Sequence, residues 1–281
     1  MLKQSIFILL VICLSFPAAE AYSGDLKIVV LDVGMGQSIL LTDHGHGLLI
    51  DTGLAEYPPQ VLARMDYYGV QTLDYLVLSH LHSDHAAGYF EIRKAWSDAP
   101  VLGSCYVPER LLPEEEAFLK KIQPVLSVDP LYGCLAAGDT ISWQGYELQV
   151  LWPIVAHETN LNLNSLVLLL KNSRGGSLLV MGDVDKSVEK SLIPVLQSIL
   201  PLSGVNLYVA SHHASAAGTD PEFLNVVRPQ VSIISVGRNN RFGYPAENSV
   251  RFLEQYSKTV VRTDRNGEIC YTLGMTAVPC K

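Results

Sequence analysis

Three histidines and an aspartate fall within one six-residue stretch, His80-Leu81-His82-Ser83-Asp84-His85. Imidazole nitrogens and a carboxylate oxygen at this spacing suit a borderline divalent cation such as Zn²⁺, which takes N and O donors at about 2.0–2.2 Å. A single histidine in a polar loop carries no such reading. Here the H-x-H-x-D-H run directly follows the apolar Leu76-Val77-Leu78, so its donors crowd at the end of an expected buried strand. Two further clusters also close apolar runs: Gly182-Asp183 after Ser177–Met181, and His212-His213 after Leu207–Ala210. Five of the eight histidines lie in the first and third clusters. If these strand ends converge on one edge of a sheet, they form a dinuclear centre. His80 and His82 are then expected on one ion, Asp84 and His85 on the other, and Asp183 between them.

The elements that must position these groups are β-rich, then mixed, and that order occurs twice. From Asp25, LKIVVLDVGMGQSILLTDHGHGLLIDTG predicts a strand over Val29–Leu31, then a hairpin of Ile39–Leu41 and Leu48–Ile50 about Gly45-His46-Gly47. Asp32 and Asp51 each end an apolar run, where a carboxylate serves a site or holds a loop through backbone N–H groups; His44 and His46 read as solvated turn residues. A helix is predicted around Pro59 to Tyr68, closed by Gly69, followed by the strand to His80 and a helix over Ala86–Trp96. A strand over Val101–Val107, a helix over Glu114–Ile122 and a strand pair over Thr140–Leu151 turning at Gln144-Gly145 follow. The second half opens with a hairpin of Ser165–Lys171 and Ser177–Met181. After it come a helix over Lys186–Leu200 kinked at Pro194, a strand over Leu207–Ala210 and a short helix near Pro221–Val227. A strand over Val231–Val236, a helix over Glu247–Tyr256 and two last strands complete the chain. One domain of two similar β-then-βα halves accounts for this order.

Composition supports one large domain. The 281 residues are 48% hydrophobic and 17% charged, enough for a sizeable core. The formal net charge of -8 argues against stable nucleic-acid binding by a broad basic surface, although a bound metal can supply local positive charge to a phosphate enzyme. Residues 1–21 read as a secretory signal, with Lys3 before the apolar Ile6–Phe16 and Ala19-Glu20-Ala21 before Tyr22; residues 22–281 form the expected domain. The apolar run is shorter than the ~20 residues of a spanning helix, and no membrane span is expected in the mature chain, so a periplasmic or secreted location follows. The remaining cysteines, Cys105, Cys134, Cys270 and Cys280, permit two disulfides, and sequence proximity favours Cys270–Cys280 with Cys105–Cys134.

With the downstream Gly-Asp and double His, the H-x-H-x-D-H run resembles the metallo-β-lactamase-fold hydrolases. The runs LDVGMGQSILL, LLIDTG, NSLVLLL, LLVMGDVD, VASHHAS, PQVSIISVGRNNRFGYP and VVRTDRNGEI are similar to the C-terminal hydrolase domain of the competence DNA-uptake family ComEC, over roughly Lys27 to Tyr271. The resemblance implies an α/β, four-layer αββα sandwich of two similar halves. It also implies a metal set of His80, His82, Asp84, His85, Asp183 and His213, with His212 beside substrate and Asp51 behind the metal loop. Asp32 and Ser38, in the first glycine-rich turn, are the weaker candidates for the site edge.

Three departures stand against the pattern. Where many such enzymes place a further histidine ligand, this chain has Asn160, Asn162 and Asn164, with His157 nearby; where a glycine usually follows the double His it has Ala214; and Tyr244 replaces the histidine of a Gly-His-Pro run. The implied activity is metal-dependent hydrolysis with two Zn²⁺, or Mn²⁺ with one open position, acting on a phosphodiester or nucleic-acid substrate. Asp84 or Asp183 would orient the nucleophile, and His212 or Tyr244 would protonate a leaving group. A β-lactamase or other amide or ester hydrolase is the alternative enzyme, and a metal-stabilised binding module without catalysis the alternative from another class. The segment holding Arg238, Arg241, Arg251, Lys258, Arg262 and Arg265 reads equally as a local basic bias and as a solvated surface.

Overall fold

Leucine, isoleucine and valine fill both faces of the central strands, so successive residues serve different layers. Ile28 and Val30, Ile39 and Leu41, Leu48 and Ile50 point into one core, where they meet Leu168, Leu170, Leu178, Val180, Leu207 and Val209 from a second sheet. Their neighbours Val29, Leu40 and Leu49 point the other way, onto helices. The computed structural model describes residues 26–108 and 113–280, so the expected signal at 1–21 lies outside the described residues.

The first sheet holds β1 (Lys27–Val30), β2 (Ile39–Asp43), β3 (His46–Ile50), β4 (Thr72–Leu78), β5 (Val101–Ser104) and β6 (Tyr132–Leu135). The second holds β7 (Thr140–Trp143), β8 (Tyr146–Trp152), β9 (Val167–Lys171), β10 (Ser177–Val180), β11 (Leu207–Val209), β12 (Val231–Ile234) and β13 (Thr259–Arg262). The chain then returns to the first sheet with β14 (Ile269–Leu273) and β15 (Ala277–Pro279). Spatial orders are β15-β14-β1-β2-β3-β4-β5-β6 and β13-β12-β11-β10-β9-β8-β7. Helices Pro58–Tyr67, Tyr89–Ala95 and Pro113–Leu126 cover the first sheet through Val61, Met65, Ile92 and Ile122. Helices Lys186–Ile199, Pro221–Val227 and Glu247–Tyr256 cover the second through Leu192, Leu196, Phe223 and Leu253. This is the four-layer αββα order expected from the resemblance.

Several elements differ from the sequence expectation. β6 was not expected, because Tyr-Gly-Cys-Leu carries little strand signal; its place is fixed by parallel pairing with β5 and by the Cys105–Cys134 disulfide. Cys270–Cys280 forms the second disulfide. Three strands, not two, follow the last long helix. The helix expected over Ala86–Trp96 runs over Tyr89–Ala95, after a separate short helix at Ser83–Ala86; Gly88 lies between them, where a Cβ would meet the Thr52 carbonyl at 2.6 Å. The helix through Pro194 is continuous from Lys186 to Ile199. His44 and His46 are half-solvated, but each faces a carboxylate: Asp43 at 2.7 Å and Asp74 at 2.9 Å.

Asp74 and Asp43 tie one sheet to the other. Asp74 of β4 accepts from the Trp143 indole N–H at 2.7 Å, and Asp43 accepts from Tyr146 Oη at 3.0 Å. A third carboxylate, Glu189, is buried on the second sheet's helix and accepts from Ser211 Oγ at 2.5 Å and from the backbone N–H groups of Thr219 at 3.0 Å and Asp220 at 2.6 Å. It therefore holds both ends of the 211–220 loop that carries His212 and His213. Burial pushes its carboxyl up to about 7, with the three donors pulling in the opposite direction.

Two stability measurements follow. Asp74→Ala leaves the buried Trp143 N–H without its acceptor and is expected to lower unfolding free energy by roughly 1–3 kcal/mol in urea titration. For Glu189, the unfolded carboxyl ionises near 4.5 and the folded one near 7, so folding takes up a proton between those values and the stability it supports falls as pH rises. The advantage of wild type over Glu189→Gln is expected to shrink by roughly 2–3 kcal/mol between pH 5 and pH 8; an unchanged difference contradicts the buried proton.

Candidate metal centre

Every histidine and aspartate singled out by its place after an apolar run comes to one end of the two sheets, at the carboxyl ends of parallel strands, where open α/β sheets place their ligands. Asp51 follows β3, His80 to His85 follow β4, Asp183 follows β10, and His212 and His213 follow β11. The two halves are stitched beside the site by Leu166 N–H to the Ser79 carbonyl at 2.8 Å and by Ser235 Oγ to the Gly36 carbonyl at 2.8 Å. Gly36 is required there, since a Cβ would meet the Asp84 carbonyl at 2.4 Å.

Asp84, His85, Asp183 and His213 each offer one donor atom, and the four atoms lie within 4.8 Å of one another. His85 Nε2 stands 3.2 Å from Asp183 Oδ1 and 3.9 Å from Asp84 Oδ2. His213 Nε2 stands 3.4 Å from Asp84 Oδ2 and 3.6 Å from Asp183 Oδ2. On the far side of each ring the other nitrogen is occupied: His85 Nδ1 donates to Asp51 Oδ2 at 2.7 Å, and His213 Nδ1 donates to the Ser235 carbonyl at 2.8 Å. In the neutral rings that arrangement leaves both Nε2 lone pairs facing the cluster. His85 Nε2, His213 Nε2 and Asp183 Oδ1 are buried atoms without a hydrogen-bond partner. Buried polar atoms in that condition are costly unless something binds them, and a cation is what this donor set would bind.

The electrostatics agree. Burial alone would raise Asp84 and Asp183, yet His85 and His213 hold both carboxyls below the usual carboxylate range. Burial alone would lower His85, yet Asp183, Asp51 and Asp84 hold it raised. The cluster thus favours positive charge at its centre. His80 moves the other way, lowered by burial and by His85 and His82.

His80 and His82 sit beside this group rather than in it. His80 Nε2 and His82 Nδ1 face each other at 3.0 Å, and the His80 and His85 rings are 4.2 Å apart between centroids. Asp51 lies behind, fully buried, accepting from Ser79 N–H at 2.7 Å, Ser79 Oγ at 2.8 Å and Gln37 Nε2 at 2.8 Å besides His85. Ser38 serves the backbone, donating to the Asp51 carbonyl at 3.1 Å, while the Asp32 carbonyl accepts from Gln60 at 2.8 Å.

The His212–Ala214 turn is left-handed at three successive non-glycine residues, with φ of 47°, 54° and 57°. Such conformations cost of order 1–2 kcal/mol each and persist where surrounding bonds over-determine them. His212 N–H bonds the Gly182 carbonyl at 2.9 Å, Ser215 N–H the His212 carbonyl at 2.8 Å, and Ala246 N–H the Ala214 carbonyl at 2.9 Å. Ala214 at φ 57° shows why a glycine is the easier residue there. His212 Nε2 reaches to 3.8 Å of Asp183, its ring sits 5.6 Å from that of Tyr244, and burial lowers its pKa.

Of the asparagine run, Asn160 and Asn164 are structural. Asn160 Oδ1 accepts from Asn162 N–H, and the Asn164 amide brackets the His157 backbone with bonds of 2.8 and 2.9 Å. His157 packs on Trp152 and joins neither the cluster nor the pocket. Asn162 does reach the pocket, and its Oδ1 is buried without a partner. That pocket, about 240 Å³, is lined by Asp84, Asp183, His212, His213 and Tyr244, and also by Arg241 and Phe242. Of the six cationic residues of the segment read equally as a basic bias and as a solvated surface, Arg241 alone lines it; Arg262 pairs with Asp264 at 2.6 Å and Arg238 bonds the Asp264 carbonyl. Gln37, Ser79, Ser235, Arg241 and Phe242 were not anticipated as parts of the site. Ser79, next to His80, and Gln37, between two glycine-turn residues and Ser38, are the two whose positions carried a signal.

Comparison with known proteins agrees with this geometry. Residues 31–238 match the profile of the Metallo-beta-lactamase superfamily. ComE operon protein 3 of Bacillus subtilis (strain 168) is 27% identical over 272 residues, covering 89% of this chain and 33% of that protein. Competence protein ComA of Neisseria gonorrhoeae is 28% identical over 257 residues, covering 89% of this chain and 33% of its own. The chain therefore spans about a third of the length of these relatives. Among solved structures, the metallo-beta-lactamase fold protein YhfI from Bacillus subtilis superposes with a TM-score of 0.54 at 14% identity, covering 85% of this chain and 96% of that one. Fold, cluster and sequence match lead to one conclusion: the chain belongs to the metallo-beta-lactamase superfamily.

Proposed function

We propose that the protein is an exported, metal-dependent phosphodiesterase or nuclease. The observation that carries the reading is that three buried atoms without a hydrogen-bond partner, His85 Nε2, His213 Nε2 and Asp183 Oδ1, cluster with an Asp84 carboxylate oxygen. In this reading Asp84, His85, Asp183 and His213 would hold one divalent ion, and His80 and His82 would serve a second. The N and O donors suit Zn²⁺ and Mn²⁺. Bound there, the cation supplies Lewis acidity towards a phosphoryl oxygen and activation of water at neutral pH.

The rest is the work of the chain's own groups. Asp84 and Asp183 present carboxylate oxygens that orient an attacking water, and His212 and Tyr244, on the same pocket wall, face the position of a leaving oxygen. Burial raises the Tyr244 hydroxyl above its ordinary value, so it stays a phenol and acts as a donor. The phosphodiester preference is supported by the similarity to competence proteins and by Arg241 in a protein of net charge -8. Export is supported by two disulfides, which persist in oxidising compartments.

Two measurements test this. Asp51→Asn keeps the shape but loses the carboxylate that fixes the His85 ring, and is expected to weaken metal retention about 10- to 100-fold in chelator competition. Metal-loaded protein is expected to turn over bis(p-nitrophenyl) phosphate and to leave nitrocefin intact, with His213→Ala abolishing turnover. Nitrocefin hydrolysis without phosphodiester cleavage would replace this proposal with a lactam hydrolase.

A further inference from the structure

At the mouth of the pocket a ladder of rings runs from the proposed proton donors out to Phe242 and Arg241, which the hydrolytic chemistry does not use. It starts at His212 beside Asp183, passes edge-to-face to Tyr244 at 5.6 Å, then near-parallel to Phe242 at 5.6 Å and 21°, and ends with the Arg241 guanidinium 4.9 Å from the Phe242 ring centre. Phe242 is 50% exposed. A solitary exposed aromatic means little, but this one stands on a fixed loop. The Asn240 side chain accepts from the N–H groups of Phe242 and Tyr244 at 3.2 and 3.0 Å, and donates to the carbonyls of Gly237 and Tyr244 at 3.0 and 2.6 Å. One amide thus spends four hydrogen bonds holding an apolar ring partly in water. Arg241 is the single Arg or Lys side chain among the pocket-lining residues, which include two aspartates and three histidines beside apolar side chains.

A flat apolar face next to one cation, beside a centre proposed to cleave phosphodiesters, matches a base joined to a phosphate. We propose that Phe242, backed by Tyr244, stacks an unpaired nucleobase next to the scissile phosphodiester, while Arg241 takes a neighbouring phosphate. The inference rests on the phosphodiesterase reading and adds the substrate class: single-stranded nucleic acid. A base inside a duplex has both faces covered by its neighbours, so an unpaired base is the one this ring suits. With net charge -8 the protein lacks a broad basic surface to hold the polymer, so the local contact carries the recognition.

The test compares wild type, Phe242→Ala, Phe242→Leu and Phe242→Trp on two fluorescein-labelled oligothymidylates of equal length, one carrying its bases and one abasic throughout. KM and kcat are read with metal, and dissociation constants by anisotropy with EDTA to stop turnover. Phe242→Ala and Phe242→Leu are expected to raise KM and Kd for the base-bearing strand about tenfold, with kcat within about twofold. Phe242→Trp is expected to restore both, and the abasic strand to show no change across the series. Equal changes on both strands, or none on either, overturn the stacking subsite even if cleavage proceeds. Absence of cleavage by wild type, with base discrimination retained in anisotropy, overturns the phosphodiesterase reading and leaves the subsite standing. The Leu variant keeps apolar cover without a π face, so an effect confined to Ala points to packing and also overturns the proposal.

Discussion

A buried aspartate anchors the rest of the site. Asp51 is fully buried at φ 61° and accepts four hydrogen bonds, from Gln37, from the N–H and Oγ of Ser79, and from His85 Nδ1. An isolated carboxylate in that position would be prohibitive, and the donors make it tolerable only while all are in place. The constraint therefore runs in both directions. The first glycine-rich turn must bring Gln37 inward, β4 must end at Ser79, and the turn after it must bring His85 back over Asp51. Once those three segments are locked, the His85 ring has one orientation, and its Nε2 faces Asp183 at 3.2 Å.

The geometry also depends on the packing of the two sheets. Asp84 and His85 come from the first sheet, Asp183 and His213 from the second, so neither half contains a complete donor set. The contact that joins them is the apolar core between the sheets, supported by Asp74–Trp143 and Asp43–Tyr146 away from the site and by the Leu166–Ser79 and Ser235–Gly36 bonds beside it. Loosening the sheets would separate His85 from Asp183 and His213 from Asp84, the pairs that balance charge across the seam. Stability and site geometry are thus one property here.

How much of this was legible in the sequence follows from how each part is encoded. His80 to His85 could be read directly because the donors crowd one segment. Asp183 and the double His could be read because each closes an apolar run, and the disulfides because the cysteines pair locally. The assignment of strands to sheets could not be read: strands such as Leu168–Leu170 are apolar on both faces, so period-2 alternation, which reports one wet face, is silent. The return of β14 to pair with β1 is likewise invisible, because it joins Cys270 to Val29 across nearly the whole chain. Gln37 and Ser235 escaped notice because one acts as a neutral amide and the other through its carbonyl, and such groups carry no composition signal. The segment from Arg238 to Arg265 stayed open between two readings for the opposite reason. Its charges are adjacent in sequence, but helix and turn geometry send them to different partners, and Arg241 alone turns to the pocket.

The double histidine shows how the second half imposes the same discipline as Asp51 does in the first. Three successive left-handed residues are an unfavourable local choice, and the sequence offers no glycine to relieve them. The conformation must therefore be enforced from outside, and Glu189 does so by binding Ser211 at the start of the loop and Thr219 and Asp220 at its end. The strained turn is what lets His213 point inward, its Nδ1 on Ser235, while the adjacent His212 turns to Tyr244 and the pocket. In a regular strand, successive side chains point to opposite faces of the sheet. The turn brings both rings to within 4 Å of Asp183, at 3.6 and 3.8 Å. One buried carboxylate in each half thus fixes one imidazole group, and Asp183, reached from both, is where the two constraints meet.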